Sequence, residues 1–191
     1  MLNLPASTTA LVLIDLQEGI VNLPILAPRP GQEVVASSKL LAERFRSAGA
    51  PVVLVNVAWA TDGGDSLKQT VDRPVPHPQG GFSANWSRLV EALPQPNDIR
   101  VTKHQWGAFY GTDLDVQLRR RGIRTVVIGG IATNMGVEST ARQAYEHDYE
   151  VVVAEDACTS IDGGMHGFAV NAVFPLFARV VSAAEIELTK T

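Results

Sequence analysis

Thr125-Val126-Val127-Ile128-Gly129-Gly130-Ile131-Ala132-Thr133-Asn134-Met135-Gly136-Val137-Glu138-Ser139-Thr140-Ala141 is the stretch whose reading decides the fold. Its first part is a continuous apolar run of residues suited to a strand. Continuity, rather than alternation, implies burial on both faces, as in a parallel sheet covered by helices. Its second part reads as a sharp turn opening a helix over 135–147, rich in Ala and Glu. At such a turn the first backbone N–H groups lack intrahelical partners and point at whatever occupies the site.

The same alternation extends outward in both directions. Residues 10–14, 51–57, 99–102, 151–154 and 179–182 read as further strands, with 125–129 among them. Between the first two, Val34, Val35, Leu40, Leu41 and Phe45 form one helical stripe, and Gly49 supplies a stop. Thr112, Asp113 and Asp115 open another helix that Gly122 ends. Ser182 with Glu185 three residues later is the pattern of a capping box for a short final helix. The expectation is one α/β domain over residues 1–191. It is doubly wound, with a mostly parallel sheet of about six strands and helices on both faces. One segment breaks the pattern: residues 58–83 hold Asp62-Gly63-Gly64, Pro74, Pro76, Pro78 and Gly80-Gly81. An irregular stretch of that length in a compact domain is usually a lid or an oligomer contact.

Composition narrows the partners. The chain has 191 residues, of which 46% are hydrophobic and 19% charged, which argues for a compact globular protein. A net charge of −4 gives no electrostatic footprint for nucleic acid or an anionic membrane. Arg119-Arg120-Arg121 before Gly122 reads as the last turn of a helix, where cations complement the dipole. The single cysteine, Cys158, excludes an internal disulfide and any multi-cysteine zinc site. No apolar run reaches the length of a membrane span. The start, Met1-Leu-Asn-Leu-Pro, lacks the order of a secretory signal, so a cytoplasmic location is expected.

In open α/β sheets, ligands bind beyond the carboxyl ends of the strands. Asp15 ends the first strand, Lys103 the third, and the turn from Ala132 to Gly136 follows the fourth. A carboxylate and an ammonium beside apolar runs are costly to bury alone, so each calls for a partner. They could be a catalytic pair, or an ion pair that only joins two strand ends. Trp59, Trp106, Phe109 and Tyr110 follow strand ends and could line a pocket or simply pack in the core. Gly129-Gly130 lacks the third glycine of a dinucleotide fingerprint, and no phosphate loop is present, so no cofactor is expected.

Several motifs in order, from Leu13-Ile14-Asp15-Leu16-Gln17 through Lys103, 108–114, Arg121-Gly122-Ile123 and the turn to Glu155-Asp156-Ala157-Cys158, resemble the isochorismatase-like hydrolases, also called cysteine hydrolases. The resemblance implies that Asp15, Lys103 and Gly136 stand where the family carries its Asp, Lys and catalytic Cys. It implies a cis peptide before Ala132 and an oxyanion hole from the amides of Ala132 and Gly136. Ala132, Thr133, Gln17, Trp59, Phe109 and Tyr110 are the expected substrate contacts. With glycine at 136 the thiol route is lost. Ser139 and Thr140 lie in the helix, where hydroxyls usually bond a local carbonyl. Thr133 is in the turn but has no nearby histidine to activate it, and Cys158 reads as a packed residue. The isochorismatases, some of which also carry Gly here, use the Asp as an acid on a vinyl ether without a covalent step. They carry Tyr where this chain has Ala132. The nicotinamidases in the family bind a metal through an Asp-x-His pair and a second His. Here residues 56–62 have no His, and His77, His104, His147 and His166 are scattered, so no metal is expected. Of these, His104 is the one placed near the pocket.

The resemblance therefore implies hydrolysis of a small anionic or carbonyl-bearing metabolite by Asp15 and Lys103 without a thiol. A binding or assembly protein that has lost catalysis is the alternative, and an amidohydrolase with another nucleophile is a third. Relatives are commonly dimers or larger, and the apolar, Trp- and Pro-bearing residues 58–86 point to self-association.

Overall fold

The computed structural model describes residues 1–74 and 81–189. The elements run β1 (Leu2–Pro5), β2 (Thr9–Ile14), α1 (Glu18–Val21), α2 (Gly31–Ser47), β3 (Val52–Val57), β4 (Ile99–Lys103), α3 (Leu114–Arg120), β5 (Thr125–Ile131), α4 (Glu138–Glu146), β6 (Glu150–Thr159), α5 (Gly163–Phe168), β7 (Arg179–Val181) and β8 (Ile186–Thr189). Six strands form one sheet in the order β4-β3-β2-β5-β6-β7. All of its pairings are parallel. The winding runs outward from β2 to β4 on one side and from β5 to β7 on the other. Its direction reverses between β2 and β5, which makes their carboxyl ends the topological switch point.

Side chains alternate along each strand, so β2 feeds two cores. Leu11 and Leu13 join Val127 of β5 and Val152 of β6 beneath α2, which contributes Val34, Leu41 and Phe45. Ala10, Val12 and Ile14 face the other way, with Val126, Ile128 and Val153. There Leu114 and Leu118 of α3 and Ala141 and Ala144 of α4 cover them. Full burial of a side chain such as Phe45 is worth about 3 kcal/mol relative to leaving it in water. Among the described residues, no helix is long and apolar enough to cross a membrane.

Several details refine the sequence reading. Leu40 is exposed, because 34, 38, 41 and 45 form the buried stripe and Ser38 takes the inward place. The helix expected from 135 begins at Glu138, after a π-helical turn over Thr133–Val137. β6 continues to Thr159, with a register shift opposite Ile128 and Gly130, so Cys158 lies within the strand. β1 and β8, too short to announce themselves, pair in a separate parallel ribbon. The final turn, Ala183–Glu185, is 3-10 and carries the Ser182–Glu185 capping box.

Candidate active site

β2 delivers Asp15 to the switch point. Directly after Ile14 the backbone turns left-handed (φ 53° at Asp15), a region that Asp tolerates better than most side chains. The Asp15 amide still donates to Val55 of β3 at 2.9 Å, which fixes the residue against the sheet. Lys103, the last residue of β4, lies one strand beyond, and its long stem spans the gap. Its Nζ donates to Asp15 Oδ2 at 2.8 Å and to the carbonyl of Gln105 at 3.0 Å. Asp15 is 5% exposed and Lys103 1%. Burial pushes the Asp15 carboxyl from 3.8 up to about 6, against the downward pull of Lys103. Its second oxygen, Oδ1, is buried and has no hydrogen-bond partner in the protein. Satisfying one oxygen and leaving its twin without a partner is expensive inside a fold, and such atoms concentrate at functional sites.

β5 brings the turn against this carboxyl. Gly130 has φ 129°, and any side chain there would collide with the main chain of Ile14, so glycine lets β5 close on β2 beside Asp15. The Ile131–Ala132 peptide is cis. The amides of Met135 and Val137 fold back onto the Ala132 carbonyl at 3.1 and 3.2 Å. Gly136 is buried, and a Cβ at that position would lie 3.1 Å from Asp15 Oδ2, 3.1 Å from Ile14 Cγ2 and 3.5 Å from the Trp106 carbonyl. Asp15, Lys103 and Gly136, far apart in sequence, thus meet at one point. From the helix side, Thr140 Oγ1 donates to the Gly136 carbonyl at 2.6 Å and accepts from the Ala108 amide at 3.2 Å.

The irregular segment after β3 folds against the residues that follow Asp15. The amides of Glu18 and Gly19 donate to the carbonyls of Arg88 and Trp86, and the amide of Val90 donates to Leu16. Trp59, Phe82 and Trp86 stack there, with centroids 4.2 to 5.5 Å apart. Pro76, Pro78, Gly80 and His77 of this segment lie outside the described residues.

The remaining expected contacts separate. Gln17 is buried, but its amide is committed to Val57 N and O and to the Trp86 carbonyl, so it ties strand ends together. Trp59 Nε1 donates to the His104 carbonyl at 2.8 Å. Phe109 does not face the Asp15 centre: it sits in the core under α3 and α4, stacked on His147 at 5.1 Å and near Tyr149 at 5.8 Å. Tyr110 is exposed, as is half of Trp106. His104 bonds the Ala58 carbonyl and faces Asp65 at 3.3 Å. Cys158 is fully buried, and burial pushes its thiol up to about 12. Among the described residues, no group of three or more His, Cys, Asp or Glu side chains is arranged to hold a metal ion.

One contact overturns the reading of Thr133 as a hydroxyl without a histidine. His166, on α5, places Nδ1 2.8 Å from Thr133 Oγ1, both buried. The two residues are 33 apart in sequence, and the Gly163-Gly164 segment that carries His166 shows no apolar periodicity, so nothing local announces the pair.

Residues 9–185 match the Isochorismatase domain family. The chain is 50% identical over 188 residues to the uncharacterized isochorismatase family protein YecD of Escherichia coli O157:H7, covering 97% of this chain and 98% of that protein. It is 33% identical over 177 residues to the ureidoacrylate amidohydrolase RutB of Rhizobium rhizogenes, covering 82% of this chain and 72% of that protein. Its fold matches that of an isochorismatase family protein from Burkholderia thailandensis with a TM-score of 0.89 and 50% identity, over 94% of each chain. With the family pattern running from β2 to the final turn, and near-full-length relatives at half identity, this chain belongs to the isochorismatase family of hydrolases.

Proposed function

We propose that this protein hydrolyses a small, carbonyl-bearing metabolite by direct acid–base catalysis, with no covalent thiol step. The observation that carries this reading is Asp15: buried, raised to about 6, bound to Lys103 through Oδ2 and without a protein partner at Oδ1. A carboxyl poised there can both take and return a proton near neutral pH. Glycine at 136 leaves the position beside Asp15 Oδ2 for substrate or water instead of a thiol.

In this mechanism the substrate carbonyl lies over Gly136, its oxygen toward the N–H groups of Ala132 and Gly136. Asp15 takes a proton from water through Oδ1 as the water oxygen bonds to the carbonyl carbon. The carbonyl π pair moves to oxygen, where the two N–H groups meet the growing charge. As the tetrahedral centre collapses, Asp15 returns the proton to the leaving group. Lys103 compensates the carboxylate while the proton is away. RutB, an amidohydrolase by name, supports amides and ureido acids as the first substrates to try. Trp59 and the Phe82–Trp86 segment would form the outer wall.

The test is hydrolysis of a panel of small amides, ureido acids and vinyl ethers by wild type and Asp15→Asn. The expected result is turnover by wild type that falls about 1,000-fold or more in the variant, within the range that a positioned acid–base group supplies. The kcat/KM profile of wild type should have a limb near pH 6, rising if Asp15 starts as base and falling if it starts as acid. Turnover in Asp15→Asn at the wild-type rate would contradict the assignment. Tight binding of panel members with no turnover in either protein would favour a ligand-binding role.

A further inference from the structure

On the β6 side of the turn, away from Asp15, a second set of polar groups runs from Thr133 to Arg29. Thr133 Oγ1 lies 2.8 Å from His166 Nδ1. His166 Nε2 lies 4.0 Å from Glu155 Oε2, and Glu155 is bound by Arg29 at 3.0 Å. Arg29 is held in turn by the carbonyls of Glu155 and Cys158, and its main chain exchanges hydrogen bonds with the Thr159 hydroxyl. The cluster is therefore anchored along β6.

The proton placement follows from the surroundings. Burial, with Arg29 next and Glu155 opposing, holds the His166 imidazole below its ordinary range, so it is neutral near neutral pH. A neutral imidazole has one N–H. Directed at the Glu155 carboxylate, that N–H leaves Nδ1 as the acceptor for the Thr133 hydroxyl. The hydroxyl is then committed to the imidazole, and its direction fixes the residue between Ala132 and Gly136. The π-helical turn has no side-chain cap of its own. Asn134 is held by Ser160 and Met165 at a more exposed place and Thr140 ties the Gly136 carbonyl at the far end, so Thr133–His166 is the buried tie at the start of the turn.

We propose that His166 is a positioning residue: by accepting the Thr133 hydroxyl it holds the turn so that the N–H groups of Ala132 and Gly136 aim at the space beside Asp15. The inference rests on the reading of that turn as the anion-stabilising element. A contact that only added stability would change the unfolding temperature and leave the electrostatics at position 136 alone.

The test uses Gly136→Cys as a reporter, with labelling by iodoacetamide followed across pH by intact mass. Thr133→Val and His166→Phe, each added to the reporter, should raise the inflexion of the profile by about one pH unit, because turn N–H groups that stabilise a thiolate have moved. His166→Asn, whose amide oxygen can accept the same hydroxyl, should stay within about 0.3 of the reporter. The same inflexion in all four proteins would overturn the proposal. A reporter that labels no faster than Cys158 would count against the site reading instead. In that event, hydrogen exchange of the 132–137 amides in the Gly136 chain decides the matter. Loss of protection confined to this turn in Thr133→Val and His166→Phe, with rescue in His166→Asn, supports positioning. Unchanged protection, or an equal loss in His166→Asn, overturns it. Covalent capture of Thr133 by a phosphonofluoridate would also overturn it, in favour of an attacking hydroxyl.

Discussion

Asp15 and Lys103 oppose each other in a way that pH can expose. Burial raises the Asp15 carboxyl to about 6 while Lys103 pulls it down, and burial wins. A carboxyl with a folded pKa above its unfolded value stabilises the fold most at low pH and loses that contribution as pH rises through the folded value. Removing the ammonium removes the downward pull, so in Lys103→Met the carboxyl should hold its proton to higher pH. The variant should then lose stability with rising pH over a wider window than wild type. Denaturant unfolding should give a small difference between the two at pH 5. By pH 8 it should reach about 3 kcal/mol or more, in the range for stripping one partner from a buried pair. A difference independent of pH would mean that the two charges are not coupled.

At the scale of elements, the site exists because β2 and β5 touch at the switch point, and Gly130 permits that contact. Gly130→Ala would force a Cβ into the Ile14 main chain at φ 129°, a conformation side chains rarely adopt. The expected loss is about 3 kcal/mol or more in denaturant unfolding, from strain and separation of the two strands. A variant as stable as wild type would show that the strands are not locked there. The strands themselves were legible, because central parallel strands are apolar throughout and need no alternation to be seen. The place of Asp15 and Lys103 at strand ends followed from those boundaries. What the runs could not convey was rotation. Gln17 and Phe109 both stand at expected places, yet one turns its amide into the backbone and the other turns its ring into the core. The Thr133–His166 contact was illegible for a different reason: it joins the turn after β5 to α5 across 33 residues, and α5 has too few apolar positions to read as a helix.

At the scale of the molecule, the irregular crossover between β3 and β4 is the part that sequence flagged without resolving. Its Trp86–Val90 part pairs with residues 16–19, while Leu67 and Val71 stay exposed, as do Trp106 and Tyr110 after β4. Apolar surface left on a chain of this size favours association. Light scattering at micromolar concentration should therefore give a dimer or larger assembly, and a monomer would contradict this. The doubly wound order was legible in outline, but which strands neighbour which was not. That order is what sets Asp15 beside the turn.

The central claim is that Gly136 stands in a reaction site whose proton carrier is Asp15. A Cβ at 136 would lie 3.1 Å from Asp15 Oδ2, so a side chain there starts beside that carboxyl once its neighbours shift by a few tenths of an ångström. Cys158, buried with its thiol pushed up to about 12, supplies a slow internal reference. The most direct measurement is the iodoacetamide labelling rate of wild type, Gly136→Cys and Gly136→Cys with Asp15→Asn, by intact mass at neutral pH. The account predicts that the introduced thiol labels faster than Cys158 and slows once Asp15 can no longer take its proton. A Gly136→Cys protein that labels no faster than wild type would contradict it.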